Sequence, residues 1–147
     1  MSMSEYPDGA EEAKTPKRQE NANGQRILIV QDDRLSMTLL SDFLNAHGYR
    51  VLKTSEGLEA IALARDEQPD LILMDIRLPG INGFEVTRVL KQDNQTNAIP
   101  IIAVTAFATP GDETRALESG CAAYITKPVN VDELLRTVEL FLPSSSP

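Results

Sequence analysis

The 147-residue chain is 41% hydrophobic and 24% charged, which is typical of one globular domain, and no apolar run is long enough to predict a membrane span or a signal peptide. Its net charge of −8 disfavours nonspecific binding to DNA or anionic lipid and suits a cation or a basic partner. The single cysteine, Cys121, excludes an internal disulfide and indicates a small buried apolar residue. We therefore expect a cytoplasmic protein that binds neither DNA nor membranes.

The two ends of the chain differ in composition from its middle. Residues 1–24 contain prolines, glycines and scattered charges with few large apolar side chains, so burial cannot offset the entropy of ordering them. Residues 143–147, with the sequence PSSSP, are similar. We predict a disordered tail at each end and one domain over residues 25–142.

Within this domain, short apolar runs alternate with amphipathic stretches. The runs predict strands at 27–30, 49–53, 71–74, 101–104 and 122–125. The stretches that follow them predict five helices. The first ends at Gly48, the second spans 57–66, the third begins at Phe84, the fourth spans 112–119 with Gly120 at its end, and the fifth spans 131–142 with Asn130 as cap. Five such units with right-handed crossovers predict an α/β fold, a doubly wound parallel sheet with helices on both faces.

The third strand is the centre of this arrangement. Residues 71–74 are continuously apolar, as in a strand buried on both faces, and Asp75 follows at once. The glycines and proline of residues 78–83 then require a turn before the next helix. Asp75 is therefore expected at the carboxyl end of a central strand, facing the crevice where α/β sheets bind ligands.

Polar side chains follow four of the predicted strands at this same edge. Carboxylates that converge there would repel one another unless a cation joined them, and oxygen ligands suit Mg²⁺ or Mn²⁺. A hydroxyl and an amine beside them would neutralise a phosphoryl group, so we expect a metal-dependent phosphoryl site with Asp75 as nucleophile. The residues are Gln31, Asp32, Asp33, Asp75, Thr105 and Lys127.

Taken one at a time, these residues have simpler interpretations. Asp32 and Asp33 alone suggest a helix-capping pair, Thr105 alone a structural hydroxyl, and Lys127 alone a solvated lysine. Their joint placement at one sheet edge favours the phosphoryl site.

Four runs together resemble the response-regulator receiver domain of the CheY-like superfamily. They are ILIVQDD, LILMDIRLPGINGFE, IIAVTAFA and AAYITKP, in order across residues 26–142. Within that family the chain most resembles single-domain receivers of the DivK cell-division type. The resemblance implies a flavodoxin-like (βα)5 three-layer sandwich with strand order 2-1-3-4-5 and a role in two-component phosphorelay signalling of the cell cycle.

The resemblance also implies site residues. Asp75 would accept the phosphoryl group, and Mg²⁺ (or Mn²⁺) would be bound by Asp32, Asp75 and the main-chain carbonyl of Arg77. Lys127 would pair with the phosphoryl group, before a cis Lys127-Pro128 bond. Thr105 would move toward that group on activation.

The implied partners are a histidine kinase or histidine phosphotransfer protein, which donates the phosphoryl group, and a downstream protein. Tyr124 would change rotamer with Thr105, and the partner surface would include Arg115, Tyr124 and Phe107. The chain would catalyse only its own Mg²⁺-dependent phosphorylation and dephosphorylation.

One position departs from the family pattern. Gln31 stands where the first acid of the usual acidic pair belongs, and its amide oxygen can hold a metal-bound water without adding charge. We therefore predict weaker Mg²⁺ binding than in a receiver with both acids. The bulky side chains of Arg77 and Phe107 are expected to hinder an attacking water and slow self-dephosphorylation.

Three alternatives stay open. An aspartyl-phosphate hydrolase would also use Asp75, but it normally needs an acid where Arg77 stands. A pseudo-receiver that binds partners without phosphorylation is favoured by Gln31 and disfavoured by intact Asp75, Thr105 and Lys127. The chain is also compatible with a receiver fragment of a hybrid histidine kinase.

Overall fold

A computed structural model describes residues 24–106 and 109–142. Apart from Gly24, the tails predicted at residues 1–24 and 143–147 lie outside the described residues, as does Phe107, so the interpretations given for them stay predictions.

Five parallel strands and five helices alternate along the described chain, as the sequence predicted. The sheet order is β2-β1-β3-β4-β5, which confirms the doubly wound, flavodoxin-like arrangement with order 2-1-3-4-5. The elements are β1 (Arg26–Val30), α1 (Arg34–Ala46), β2 (Arg50–Thr54), α2 (Gly57–Glu67), β3 (Leu71–Met74), α3 (Gly83–Gln92), β4 (Ile101–Thr105), α4 (Pro110–Ser119), β5 (Ala123–Thr126) and α5 (Val131–Phe141). Predicted boundaries differ by one or two residues at most ends, so that Tyr49 and Ala122 precede their strands.

The sheet is covered on both faces, which is why its inner strands are almost entirely apolar. All four residues of β3 and all five of β4 are buried. Alternate side chains serve two separate cores, since Leu28 and Val30 pack with α2, α3 and α4, whereas Ile27 and Ile29 pack with α1 and α5. Burial on both sides therefore fixes the register of β1 against its neighbours.

Local sequence signals define most helix ends. Asn130 caps α5 by accepting the main-chain N–H of Glu133, as predicted. Gly48 and Gly120 follow α1 and α4 with φ of 92° and 118°, conformations that glycine adopts without steric cost. No helix within residues 24–106 and 109–142 has the length and apolarity needed to cross a membrane.

Candidate functional site at the carboxyl edge of the sheet

Asp75 lies directly after β3, at the bottom of a crevice between strand ends. Its main-chain N–H donates to the carbonyl of Val30 at 2.8 Å, which continues the pairing of β3 with β1. The Asp75 side chain is only 6% exposed, and its carboxylate accepts from two donors: the main-chain N–H of Arg77 on Oδ1 and the Lys127 ammonium on Oδ2, each at 3.1 Å. The buried charge is thus held by one cation and one peptide dipole.

Lys127 reaches Asp75 from the loop after β5. Because β4 lies between β3 and β5, the lysine side chain must cross about two strand spacings, roughly 10 Å, with part of that distance covered by its loop. Its main-chain N–H donates to the carbonyl of Thr105 at 2.9 Å, and the Lys127-Pro128 bond is cis, as the family resemblance implied. The Lys127 side chain is 14% exposed, so solvent screens this pair little.

The three polar residues after β1 have separate roles. Gln31 is 1% exposed and Asp32 is exposed, so the neutral side chain lies inside the crevice and the acidic one stands at its rim. Asp33 caps α1 by accepting from the main-chain N–H groups of Leu35 and Ser36, and the hydroxyl of Ser36 lowers the pKa of its carboxyl. Of the predicted capping pair, only Asp33 therefore caps the helix.

Thr105 ends β4 and is fully buried. Tyr124, on the neighbouring strand β5, is half-buried and packs against the core formed with α2, α3 and α4. Partial burial raises the pKa of its phenol, and so do the carboxylates of Asp112 and Glu113 in the first turn of α4. The predicted switch pair therefore occupies adjacent strands, one residue inside the core and one at its border.

A cleft of about 280 Å³ lies beside the Asp75 crevice, between the start of α3 and α4. The guanidinium carbon of Arg115 stacks over the ring of Phe84, 4.2 Å from its centroid, and so fixes one wall. Arg115 was predicted from the family resemblance, but its contact with Phe84 was not, because no local pattern joins residues of two different helices. The lining is formed by Ile76, Arg77, Asn82, Phe84, Thr105, Asp112 and Arg115.

The donor set beside Asp75 fits a hard divalent cation that keeps several waters. The described residues contain no group of three or more His, Cys, Asp or Glu side chains arranged for a metal, so any ion here depends partly on neutral oxygens. One such oxygen is present, since Gln31 Oε1 is buried without a hydrogen-bond partner in the described part of the chain. An acceptor without a partner near the Asp75 carboxylate suits a metal-bound water, which donates hydrogen bonds.

Comparison with known proteins agrees with this geometry. The model of the response regulator receiver domain family matches residues 27–139, and the chain belongs to that family. It is a two-component response regulator, similar to the polar-differentiation response regulator DivK of Brucella anthropi, with 50% identity over 116 residues that cover 79% of this chain and 94% of the relative.

Solved structures give the same result. The receiver domain of a sensor histidine kinase from Pseudomonas aeruginosa, whose description places a magnesium ion in its active site cleft, is 36% identical with a TM-score of 0.77, covering 82% of this chain and 99% of the other. A response regulator from Chloroflexus aurantiacus described as putative is 30% identical with a TM-score of 0.78, over 81% and 98% of the two chains.

Proposed function

We propose that this chain is a phosphorylation switch in which Asp75 accepts a phosphoryl group from the phosphohistidine of a histidine kinase or histidine phosphotransfer protein. The observation that carries the proposal is the buried Asp75–Lys127 ion pair in the crevice where the chain places Thr105 and Gln31. A carboxylate that is buried, oriented by Arg77 N–H and neutralised by an ammonium is a positioned nucleophile.

The transfer exchanges one bond to phosphorus for another. A carboxylate oxygen of Asp75 forms the new P–O bond, the P–N bond to the donor imidazole breaks, and the imidazole leaves with the electron pair of that bond. Asp75 thereby becomes an acyl phosphate that carries about −1.5 to −2 charge in place of −1. The Lys127 ammonium, already within 3.1 Å, stays as counter-ion to this charge.

Asp32, Asp75, the carbonyl of Arg77 and, through a water, Gln31 would hold Mg²⁺ or Mn²⁺ at this site. When bound, the ion supplies the remaining positive charge that the transferring phosphoryl group requires. The protein's own contribution is orientation, since Lys127 and the Arg77 N–H each hold a different oxygen of the Asp75 carboxylate.

The signal leaves the site by protein contact. In the proposed switch, the buried hydroxyl of Thr105 bonds the new phosphoryl group and Tyr124 takes a new rotamer, which changes the surface that includes Arg115 and Phe107 for a downstream partner. The chain would act in the cytoplasm without binding DNA or membrane directly, and it would catalyse no reaction other than its own phosphorylation and dephosphorylation.

The test is incorporation of phosphate from acetyl phosphate and from a phosphorylated histidine donor, followed by intact mass. We expect one phosphoryl group per chain, dependent on Mg²⁺ and lost in Asp75→Asn. Asp66→Asn is the matched control, because Asp66 is exposed near the end of α2 and lies at the opposite edge of the sheet from Asp75. Arg26, at the start of β1, contacts the carbonyls of the neighbouring residues Glu67 and Gln68, which places the end of α2 at that edge. Incorporation that survives Asp75→Asn would refute the assignment of Asp75.

A pseudo-receiver is the second candidate, and the neutral Gln31 in the crevice is the observation that favours it. It predicts no incorporation from either donor while the fold and partner binding stay intact. The hydrolase alternative is disfavoured by Arg77, whose position would need an acid, and it predicts turnover of phosphate esters that the switch does not.

A further inference from the structure

Gln31 makes a contact that crosses the sheet. Its side-chain Nε2 lies 3.5 Å from the carbonyl oxygen of Val104, a residue 73 positions away on β4. Because β3 lies between β1 and β4, the side chain must pass over the end of β3, alongside Asp75. The contact therefore joins the first strand end to the strand that carries Thr105.

The carbonyl of Val104 needs a donor of this kind. Carbonyls alternate in direction along a strand. The carbonyl of Pro100, just before β4, accepts from Ile72 on β3, whereas that of Thr105, at the end of β4, accepts from Lys127 after β5. The Val104 carbonyl therefore faces β3, but the pairing of β3 with β4 ends one residue earlier, at Met74 and Ala103. Gln31 supplies the hydrogen that β3 no longer provides.

The direction of the Gln31 amide follows from the same contact. Only the NH₂ group can face a carbonyl, since two acceptor oxygens would repel, so Oε1 is the atom that points elsewhere. That oxygen is buried and has no partner among residues 24–106 and 109–142. A glutamate or aspartate at position 31 would offer oxygens to both sides and no hydrogen to Val104.

We propose that Gln31 is a positioning residue that couples cation binding to the switch strand. Its NH₂ group holds the Val104–Thr105 peptide, and its Oε1 accepts a hydrogen bond from a water of the bound cation. One rigid amide group then connects the ion to the backbone next to Thr105, so that binding at one end orients the other. This inference rests on the proposed phosphoryl switch for the role of Thr105, but the contact itself does not.

The test uses the unphosphorylated chain and follows main-chain amides by NMR. The Thr105 N–H belongs to the same peptide as the Val104 carbonyl, so its nitrogen shift reports a hydrogen bond to that carbonyl. Gln31→Leu removes both functions of the amide, and Gln31→Glu removes only the donor. Gln92→Glu is the control, with the same change of charge at an exposed residue that ends α3.

Without metal, we expect the Thr105 amide to shift in both Gln31 variants and to stay in place in Gln92→Glu. In a Mg²⁺ titration, the native chain should move the Thr105 amide as the ion binds, and Gln31→Leu should bind about tenfold more weakly with little movement of Thr105. Gln31→Glu should bind the ion about tenfold more tightly, because it adds a negative charge near it, and should also leave the Thr105 amide unmoved by the ion.

An unchanged nitrogen shift of the Thr105 amide in both metal-free variants would overturn the inference. Shift changes spread evenly over the amides of all strands would overturn it as well. If Gln31→Leu does not fold, Gln31→Glu alone decides the question. None of these readouts involves phosphate, so a chain that takes no phosphoryl group can still pass this test, and a chain that is phosphorylated can still fail it.

Discussion

Gly83, the first residue of α3, packs closely against the main chain of Asp75 and Ile76 at the candidate site. Its N–H donates to the carbonyl of Ile76 at 2.8 Å, which closes the loop after Asp75 onto the start of the helix. A Cβ at this position would lie 2.4 Å from the carbonyl oxygen of Asp75 and 2.7 Å from Cα of Ile76. Both neighbours are main-chain atoms, so no side chain can rotate away to make room.

Gly83→Ala should therefore destabilise the protein. Restoring an ordinary contact of 3.4 Å requires the backbone to separate by about 1 Å, and overpacking of this kind costs about 1–3 kcal/mol. The helix preference of alanine over glycine returns only about 0.5–1 kcal/mol. We expect a net loss of about 1 kcal/mol, which lowers the melting temperature by about 4 °C in a domain of this size.

Gly111→Ala is the matched control, since Gly111 also lies in the first turn of a helix, α4. A Cβ there would meet nothing closer than the Thr109 hydroxyl at 4.0 Å, so we expect an unchanged or slightly higher melting temperature. Thermal unfolding followed by circular dichroism compares both variants with the native chain. If Gly83→Ala melts at or above the native temperature, the close packing of α3 on Asp75 is wrong.

Three further predictions concern other parts of the chain. Lys91, whose pKa is lowered by burial, donates to two carbonyls of the loop before β4. Lys91→Met should therefore lower the free energy of unfolding in urea by about 1 kcal/mol, and an unchanged value would contradict this. The pKa of Asp93 is lowered by the N–H of Gln95 and then by Arg65, so its contribution to stability is present above about pH 4 and is lost as the pH falls below it. Asp93→Asn should therefore narrow the difference in melting temperature between pH 7 and pH 3, whereas an equal difference would remove Asp93 from the acid response. Arg77→Asn should shorten the half-life of the acyl phosphate by opening the site to water, and an unchanged half-life would exclude that role for Arg77.

Several features of this protein were predictable because they depend on neighbouring residues. The apolar run before Asp75 predicts a strand buried on both faces and a carboxylate at its end, and the structure confirms both. Asn130, Gly48 and Gly120 mark helix ends through hydrogen bonds and dihedral angles that span only a few residues. The strand order came from resemblance to a family rather than from such local signals.

The tertiary structure decided which polar residues share the crevice and which do not. Local sequence offered both Asp32 and Asp33 as caps of α1, but the entry into α1 uses only Asp33 as cap and leaves Asp32 exposed at the rim. From sequence, Gln31 was predicted only as a weak ligand of the metal through a water. Its contact with Val104 could not be predicted, because that contact depends on the pairing of β3 with β4 ending one residue before the Val104 carbonyl. Sequence alone determined where the strands and their terminal polar groups occur, since burial and capping are local. Which of these groups meet was fixed only by the order and lengths of the strands in the folded sheet.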